Sequence, residues 1–470
     1  MITSSTSSSA PNDTDLPERK ALRRAQVGWF FNDWANGAFS ATVLTVFLGP
    51  YLTTVATNAA DAHGNVHPLG IPVRAGSFFP YTVSASVLLC VGVMLLVGAV
   101  ADRTGWHKRL LGGFAYAGAA ATIGMFFLHG NRYLLGGALL IAANICYGVS
   151  AALANSFLPG LASPDERDAV SSKGWAFGYA GSGLLLVINL ALFLCHGSLG
   201  LSSGMAVRLC LASAGAWWAA FTLVPMLRLP ERPPTISATR HAAPAHSAAA
   251  APDHKPDAGT VRELFATLRG MRQFPLTLLF LAAYLCYNDG IQTVISQASL
   301  YGQQELGMGQ TTLVAAVLMV QIVAIGGALL LGRLAKTYGA KRTVLGSLVA
   351  WVLTLALGYV MPAHQPIWFF ALACMIGLVL GGSQALSRSL FSHLIPAGRE
   401  AEYFSLYKIS DRGTSWMGPL LFGLTYQLTG DYRLAIISLL VFFVIGFVLL
   451  LRVRVRDAIE AVGNPVPQLL

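Results

Sequence analysis

Twelve apolar stretches divide the 470-residue chain, at roughly 27–55, 76–100, 109–128, 133–154, 172–195, 206–227, 274–301, 310–332, 343–361, 366–387, 402–428 and 433–451. Each is close to the length, about 20 residues, that a helix needs to cross hydrocarbon. Only 11% of the residues are charged and 55% are hydrophobic, whereas a soluble domain carries about 25% charged residues. Such a chain cannot cover itself with polar surface in water, so its apolar residues must face lipid. The stretches are rich in Gly and Ala and lack the alternation of membrane strands, which argues against a β-barrel. Hydrocarbon offers no partner to a backbone amide, so each span is expected to be helical. The expected fold class is an all-α membrane protein of twelve transmembrane helices.

The formal net charge of +10 invites a nucleic-acid reading, but its distribution does not support one. With both termini cytoplasmic, the outward loops hold only Arg74, Arg132, Arg208 and Arg433, and Arg412 falls inside a span. The other Lys and Arg gather on the inward side. This asymmetry sets the orientation of a multi-pass inner-membrane protein and needs no nucleic-acid partner. The six cysteines (Cys90, Cys146, Cys195, Cys210, Cys286, Cys374) lie in or at the edges of apolar spans with no CxxC spacing, and read as buried thiols. The first 16 residues are polar and show no pattern of a removable signal peptide, so the first helix is expected to act as the signal.

One long polar stretch, 229–259, interrupts the pattern. It is rich in Pro, Ala and His and reads as a solvated linker. His241, His246 and His254 within it match no metal-site spacing. After it, Val261, Leu264, Phe265 and Leu268 recur at helical spacing beside Arg262, Arg269 and Arg272, the pattern of a short amphipathic helix on the membrane surface. The expected organisation is a tail at 1–26, a six-helix bundle at 27–228, a linker with amphipathic helix at 229–272, a second bundle at 273–453 and a tail at 454–470.

The two bundles repeat each other. Gly98, Ala101 and Gly105 match Gly332, Ala335 and Gly339 at a constant offset of 234 residues. Ser150, Ala152, Leu153 and Ser156 match Ser383, Ala385, Leu386 and Ser389 at 233, and Pro164 and Arg167 match Pro396 and Arg399 at 232. FND at 31–33 parallels YND at 287–289 at 256, the larger offset reflecting a long first outward loop. A duplication of this period marks two related six-helix units.

At these residues the chain resembles the major facilitator superfamily. GAVADRTGWHKR at 98–109 is similar to its loop signature between helices two and three, with Gly98, Asp102, Arg103, Gly105, Lys108 and Arg109 in place. The second copy, GRLAKTYGAKR at 332–342, has Lys336 where the acid would stand. NDWANGAFSATVL, NSFLPGLASPDERDAVSSKGWAFGY and YNDGIQT resemble the vacuole-effluxer-like branch, which includes the autophagy-related amino-acid effluxers of fungi. The resemblance implies two pseudo-symmetric bundles and efflux of small amino-acid-like solutes. It also implies that Gly98, Asp102, Arg103, Gly105 and Arg109, with Gly332, Gly339 and Arg342 in the second copy, belong to the gate between the halves.

Charges at hydrocarbon depth cost about 2.5–3.5 kcal/mol on insertion scales and are functional candidates for that reason. Four stand out: Asp33, Asp289, Asp411 and Arg412. Asp33, Asn36 and Ser40 share one helix face, as do Asp289, Gln292 and Ser296, because both trios sit at i, i+3 and i+7. Two such stripes are expected to face one central chamber. For Asp33 the alternative is a packing or gating hydrogen bond. Asp411 and Arg412 point about 100° apart on a helix, so Arg412 pairs with Asp289, with a substrate carboxylate, or in a structural salt bridge. Tyr284, Tyr287, Asn288, Asn144, Tyr147, Gln384 and Arg388 are further substrate contacts or interhelical bonds. Buried carboxylates without a partner suit proton coupling, so Asp289, alone or with Asp33, is the expected coupling site.

The expected function is secondary active transport by alternating access, with a small polar solute, protons and the bilayer as partners, no cofactor and a monomeric chain. A drug or lipid-like exporter of the same fold is the alternative, given Trp34, Phe39 and Trp416, and a non-transporting sensor is a second. The absence of HExxH, GxSxG and Walker A motifs argues against an enzyme and against ATP as the energy source.

Overall fold

A computed structural model describes residues 15–161, 167–231, 272–395, 407 and 415–464. The first half opens with α1 (Asp15–Ala38), which passes through a nine-residue π-helical segment, Phe39–Phe47, into α2 (Leu48–Asn58). These three pieces form one long membrane-length element. There follow α3 (Ala75–Thr104), α4 (His107–Gly124), α5 (Tyr133–Asn155), the short α6 (Leu158–Leu161), α7 (Arg167–Cys195) and α8 (Ser203–Arg228). The second half comprises α9 (Pro275–Gln304), α10 (Gln310–Tyr338), α11 (Ala340–Val360), α12 (Pro366–His393), α13 (Met417–Thr429), α14 (Tyr432–Ser438), α15 (Leu440–Arg452) and α16 (Val455–Ala461). A two-residue hairpin, β1 (Asn65–Val66) with β2 (Val73–Arg74), caps the loop before α3.

Among the described residues, eleven helices are long and apolar enough to cross a membrane. They coincide with eleven of the twelve apolar stretches. The remaining one, 402–428, is described only at Tyr407 and from Ser415 onward, where it forms α13. The amphipathic stretch 260–272 lies outside the described residues except for Arg272.

Each half is centred on a fully buried tryptophan. Trp218 of α8 packs on Phe39 (5.4 Å) and Tyr147 (6.3 Å), and Trp351 of α11 stacks on Phe443 of α15 (5.6 Å) in a near-parallel arrangement of 20°. Small residues let the helices around these cores approach closely. A Cβ at Gly118 would strike the Trp218 ring, one at Gly178 would lie 3.4 Å from the Asp33 carbonyl, and one at Gly381 would lie 2.6 Å from the Ala324 carbonyl.

Both ends of the chain depart from the expected tails. α1 starts at Asp15, with Ala25 already buried. α16, inside the stretch 454–470, turns Val455, Ala458 and Ile459 inward, and Asn464 donates to the carbonyls of His393 (3.0 Å) and Ile395 (2.7 Å) beyond α12. An apolar i, i+3, i+4 face explains why this segment docks instead of remaining solvated.

The repeat has a backbone cause. Gly105 (φ +72°) and Gly339 (φ +89°) both end a helix in a conformation that L side chains rarely adopt. Their amides bond the carbonyls of the matched alanines, Ala101 at 2.8 Å and Ala335 at 3.0 Å. Both turns lie at the face where α1 begins and α15 ends, here the termini face.

The halves meet through α3 with α13 and through α7 with α10. The bonds between them are one-sided. Arg74 N–H donates to Gln427 Oε1 (2.7 Å), Ser77 Oγ to Gly423 O (2.8 Å), Ser84 Oγ to Trp416 O (2.8 Å), Gln310 Nε2 to Val46 O (3.3 Å) and the Tyr432 hydroxyl to Gly76 O (3.3 Å). Among the described residues these are the side-chain hydrogen bonds that join the halves. Four lie toward the far face, opposite the termini face, and Ser84 sits deeper on α3.

Candidate transport site

The sequence-paired acids occupy corresponding places. Asp33 on α1 faces α7, where a Cβ at Gly174 would lie 2.8 Å from its Oδ2. Asp289 on α9 faces α13, where a Cβ at Gly418 would fall on the Thr293 hydroxyl and 3.2 Å from the Asp289 carbonyl. A side chain at either glycine would have to displace the groups it meets, Trp29 and Asp33 at Gly174 and Thr293 at Gly418. Asp33 is half-buried, whereas Asp289 is 0% exposed. Neither Asp289 carboxyl oxygen meets hydrogen-bond geometry with a described group. The Thr293 hydroxyl serves the Asp289 carbonyl instead, at 2.7 Å.

This differs from the expected stripe lining an open chamber. In this conformation Asp289 is sealed inside the second half against α13. Gln292 and Ser296 are half-buried, and Ser296 donates to the Thr293 carbonyl at 3.1 Å. In the first half, Asn36 is buried with neither side-chain amide atom bonded, and Asn32 Nδ2 is likewise unbonded. Ser40 accepts through its carbonyl from Thr45 Oγ1, 3.0 Å away and five residues on, the spacing of a π-helix.

Helix α12 supplies a polar face to α9. The Tyr287 hydroxyl and Ser387 Oγ are 2.6 Å apart, and Gln384 Nε2 donates to Asn288 Oδ1 at 3.4 Å. Arg388, one turn past Gln384, is half-buried. Tyr179 on α7 is 36% exposed and its ring lies 5.9 Å from that of Trp175.

Other sequence candidates are taken up in packing. Asn144 Nδ2 donates to Ser86 Oγ at 2.7 Å, and Tyr284 stacks on Tyr407 at 4.3 Å. Trp34 joins Phe31, Phe177, Trp217 and Phe221 in a ring cluster between α1, α7 and α8. Phe39 is fully buried. Asp411 and Arg412 lie outside the described residues, as do the side chains of Asp102, Arg103 and Lys336. Of the other gate candidates, Gly98 and Gly332 face open space, Arg109 lies 5.9 Å over the Trp106 ring and Arg342 is exposed.

The sequence reading missed the far-face contacts. They depend on backbone carbonyls, and no residue pattern displays which side chain reaches them.

Two helical halves joined across α3–α13 and α7–α10 give the architecture of a major facilitator transporter. The fold agrees with a solved D-xylose–proton symporter at a TM-score of 0.64 and 13% identity, covering 92% of this chain and 96% of that one. The model of the family described as vacuole effluxer Atg22-like matches residues 21–463, and the chain belongs to that family. It is 30% identical over 436 residues to the uncharacterized MFS-type transporter YxiO of Bacillus subtilis, covering 92% of this chain and 95% of the relative. It is 28% identical over 473 residues to autophagy-related protein 22-1 of Penicillium rubens, covering 84% and 78%. The chain is therefore a multi-pass membrane transporter and not an enzyme.

Proposed function

We propose that this transporter exports a small amino-acid-like solute in exchange for protons, with Asp289 as the coupling group. The carrying observation is the complete burial of Asp289 with both carboxyl oxygens unbonded among the described residues. A buried charge without a partner is costly, and binding a proton removes it. The glycine contact with α13 supplies the link to movement. With the acid neutral, α9 and α13 close on each other; with the acid charged, water must reach it and the contact loosens. Asp33 against Gly174 repeats the arrangement in the first half.

Efflux accords with the family's description as effluxers. The excess of Lys and Arg toward the termini face supports an inner-membrane protein with cytoplasmic termini. The division into two bundles joined by a linker and a monomeric working unit belong to the same reading, as does a gate role for Asp102 and Arg103. The packing of Trp34 and Phe39 into the first half favours a small polar solute over a drug or lipid.

The test uses purified protein in liposomes with an imposed pH gradient. Asp289→Asn is expected to abolish gradient-driven accumulation while retaining solute counterflow. Accumulation at the wild-type level in that variant refutes the coupling role.

A further inference from the structure

Two prolines sit in the far-face part of the first half, Pro50 in α2 and Pro80 in α3. A proline has no N–H, so the carbonyl four residues before it receives no α-helical bond. The carbonyls left in this way are those of Val46 and Gly76. Each is met by a side chain of the second half. Gln310, the first residue of α10, donates through Nε2 to Val46 O at 3.3 Å. The hydroxyl of Tyr432, the first residue of α14, donates to Gly76 O, also at 3.3 Å.

The pairing is selective. Two bonds between the halves run the other way, from Ser77 to Gly423 O and from Ser84 to Trp416 O. Four residues after these acceptors stand Gln427 and Leu420, not prolines. The Leu420 amide already bonds Trp416 O at 3.1 Å. Among the described residues, both backbone carbonyls of the first half that take a side-chain bond from the second are therefore ones that a proline has vacated.

The two places lie at one level. Gly49 and Phe79, the residues just before the prolines, lie against each other, and a Cβ at Gly49 would fall 2.8 Å from the Phe79 ring. Val46 and Gly76 are both buried. The backbone around each is arranged for the visitor. Val46 lies in the π-helical segment, where the Leu48 amide reaches back five residues to Val43 O. At Gly76 the missing side chain admits the tyrosine, since a Cβ there would strike its hydroxyl. In a membrane a carbonyl freed by proline has to be satisfied by a neighbouring helix or by water.

We propose that Pro50 and Pro80 empty two carbonyls as sockets for the second half, and that Gln310 and Tyr432 plug them to latch the far face shut. The first half cannot fill these sockets with its own helical amides, so closure supplies the missing donors. When the far face opens, water takes the place of the two side chains. The latch is local to each proline and owes nothing to the solute or the coupling ion.

The test reads the far-face distance between the halves by electron–electron resonance on the full chain in lipid nanodiscs. Spin labels go on Ala62→Cys and Gln365→Cys, both exposed, in a Cys195→Ser background. Gln310→Leu and Tyr432→Phe are each expected to lower the ratio of short- to long-distance populations about tenfold, the effect of leaving one buried carbonyl without its donor. Pro50→Ala restores an N–H to Val46 O, so Gln310→Leu added to it should change the ratio by less than about threefold. Tyr432→Phe added to Pro80→Ala should do the same. The crossed pairs, Pro50→Ala with Tyr432→Phe and Pro80→Ala with Gln310→Leu, should keep the full tenfold effect.

Equal effects of Gln310→Leu with and without Pro50→Ala, or of Tyr432→Phe with and without Pro80→Ala, overturn the inference. So does an unchanged distance ratio in Gln310→Leu and Tyr432→Phe. Loss of the effect in the crossed pairs as well overturns it too, because the prolines would then act on closure as a whole. The two cycles are independent, so one decides the matter where a proline variant of the other does not fold. No solute or pH gradient enters the measurement, so its outcome stands apart from that of Asp289→Asn.

Discussion

The hydroxyl of Tyr432 donates to the carbonyl of Gly76 across 356 residues of chain, closing the far face where the two halves meet. Tyr426 stacks on Tyr432 at 4.0 Å, and a Cβ at Gly76 would strike the Tyr426 ring and the Tyr432 hydroxyl. Gly76→Val should therefore keep the helices apart. Overpacking of this kind costs about 1–3 kcal/mol, enough to shift the closed state by about 5- to 160-fold. The variant should transport poorly, and cysteines placed near Ser77 and Gly423 should react with impermeant reagents from the far face. Unchanged labelling would mean that this contact does not hold the face shut.

The bond between Tyr287 and Ser387 is the shortest described link between α9 and α12, at 2.6 Å, and both residues are fully buried. Ser387 also donates to Ser383 O at 2.6 Å, so removing the tyrosine hydroxyl costs Ser387 its donor. Tyr287→Phe should lower stability by about 1–3 kcal/mol, read as a fall in melting temperature. A Ser387→Ala double variant should lose less than the sum of the single changes. Additive losses would show that the two side chains act independently.

Much of this architecture was legible in the residues. Hydrocarbon thickness fixes the helix length, so eleven of the apolar stretches reappear as spans with ends within a few residues. The paired loops were legible because Gly105 and Gly339 each hold a conformation closed to other residues. The polar face of α9 was partly legible, since helical spacing gives the relative directions of Asp289 and Gln292. Spacing does not say which neighbour a face meets. Asp289 meets Gly418 and not open water because helix packing, a three-dimensional property, decides it. The π-helical segment at Phe39–Phe47 was not legible either: β-branched residues at Thr42, Val43, Thr45 and Val46 fit an α-helix nearly as well, and contacts with α9 and α10 accompany the change.

The two loop glycines should respond differently to the same substitution. Gly105 is left-handed (φ 72°, ψ 7°), a region alanine enters at about 1–2 kcal/mol. Gly339 (φ 89°, ψ 151°) lies where only glycine is at ease, at about 1–3 kcal/mol. Gly339→Ala should therefore destabilise more than Gly105→Ala, and Gly98→Ala, in open space, should change stability by less than either. Melting curves of the three variants check the order. Equal effects at Gly98 and Gly105 would remove backbone conformation as the reason for the repeat.

The far-face hairpin should loosen only in acid. Asp61 accepts from the amides of Asn65 (2.8 Å) and His63 (2.9 Å), with His67 at 3.7 Å. These bonds, the Asn65 amide first, hold its carboxyl below the ordinary carboxylate range. A carboxyl depressed in the folded state contributes stability above its unfolded pKa, near 4, and loses it as pH falls through the folded value. Amide exchange at Asn65 and Val66, corrected for its intrinsic pH dependence, should show constant protection from pH 8 to 5 and a decline below about pH 4. Asp61→Asn should remove the acid-dependent step and leave lower protection throughout. An acid-dependent step that persists in Asp61→Asn would place the switch elsewhere than on this carboxyl.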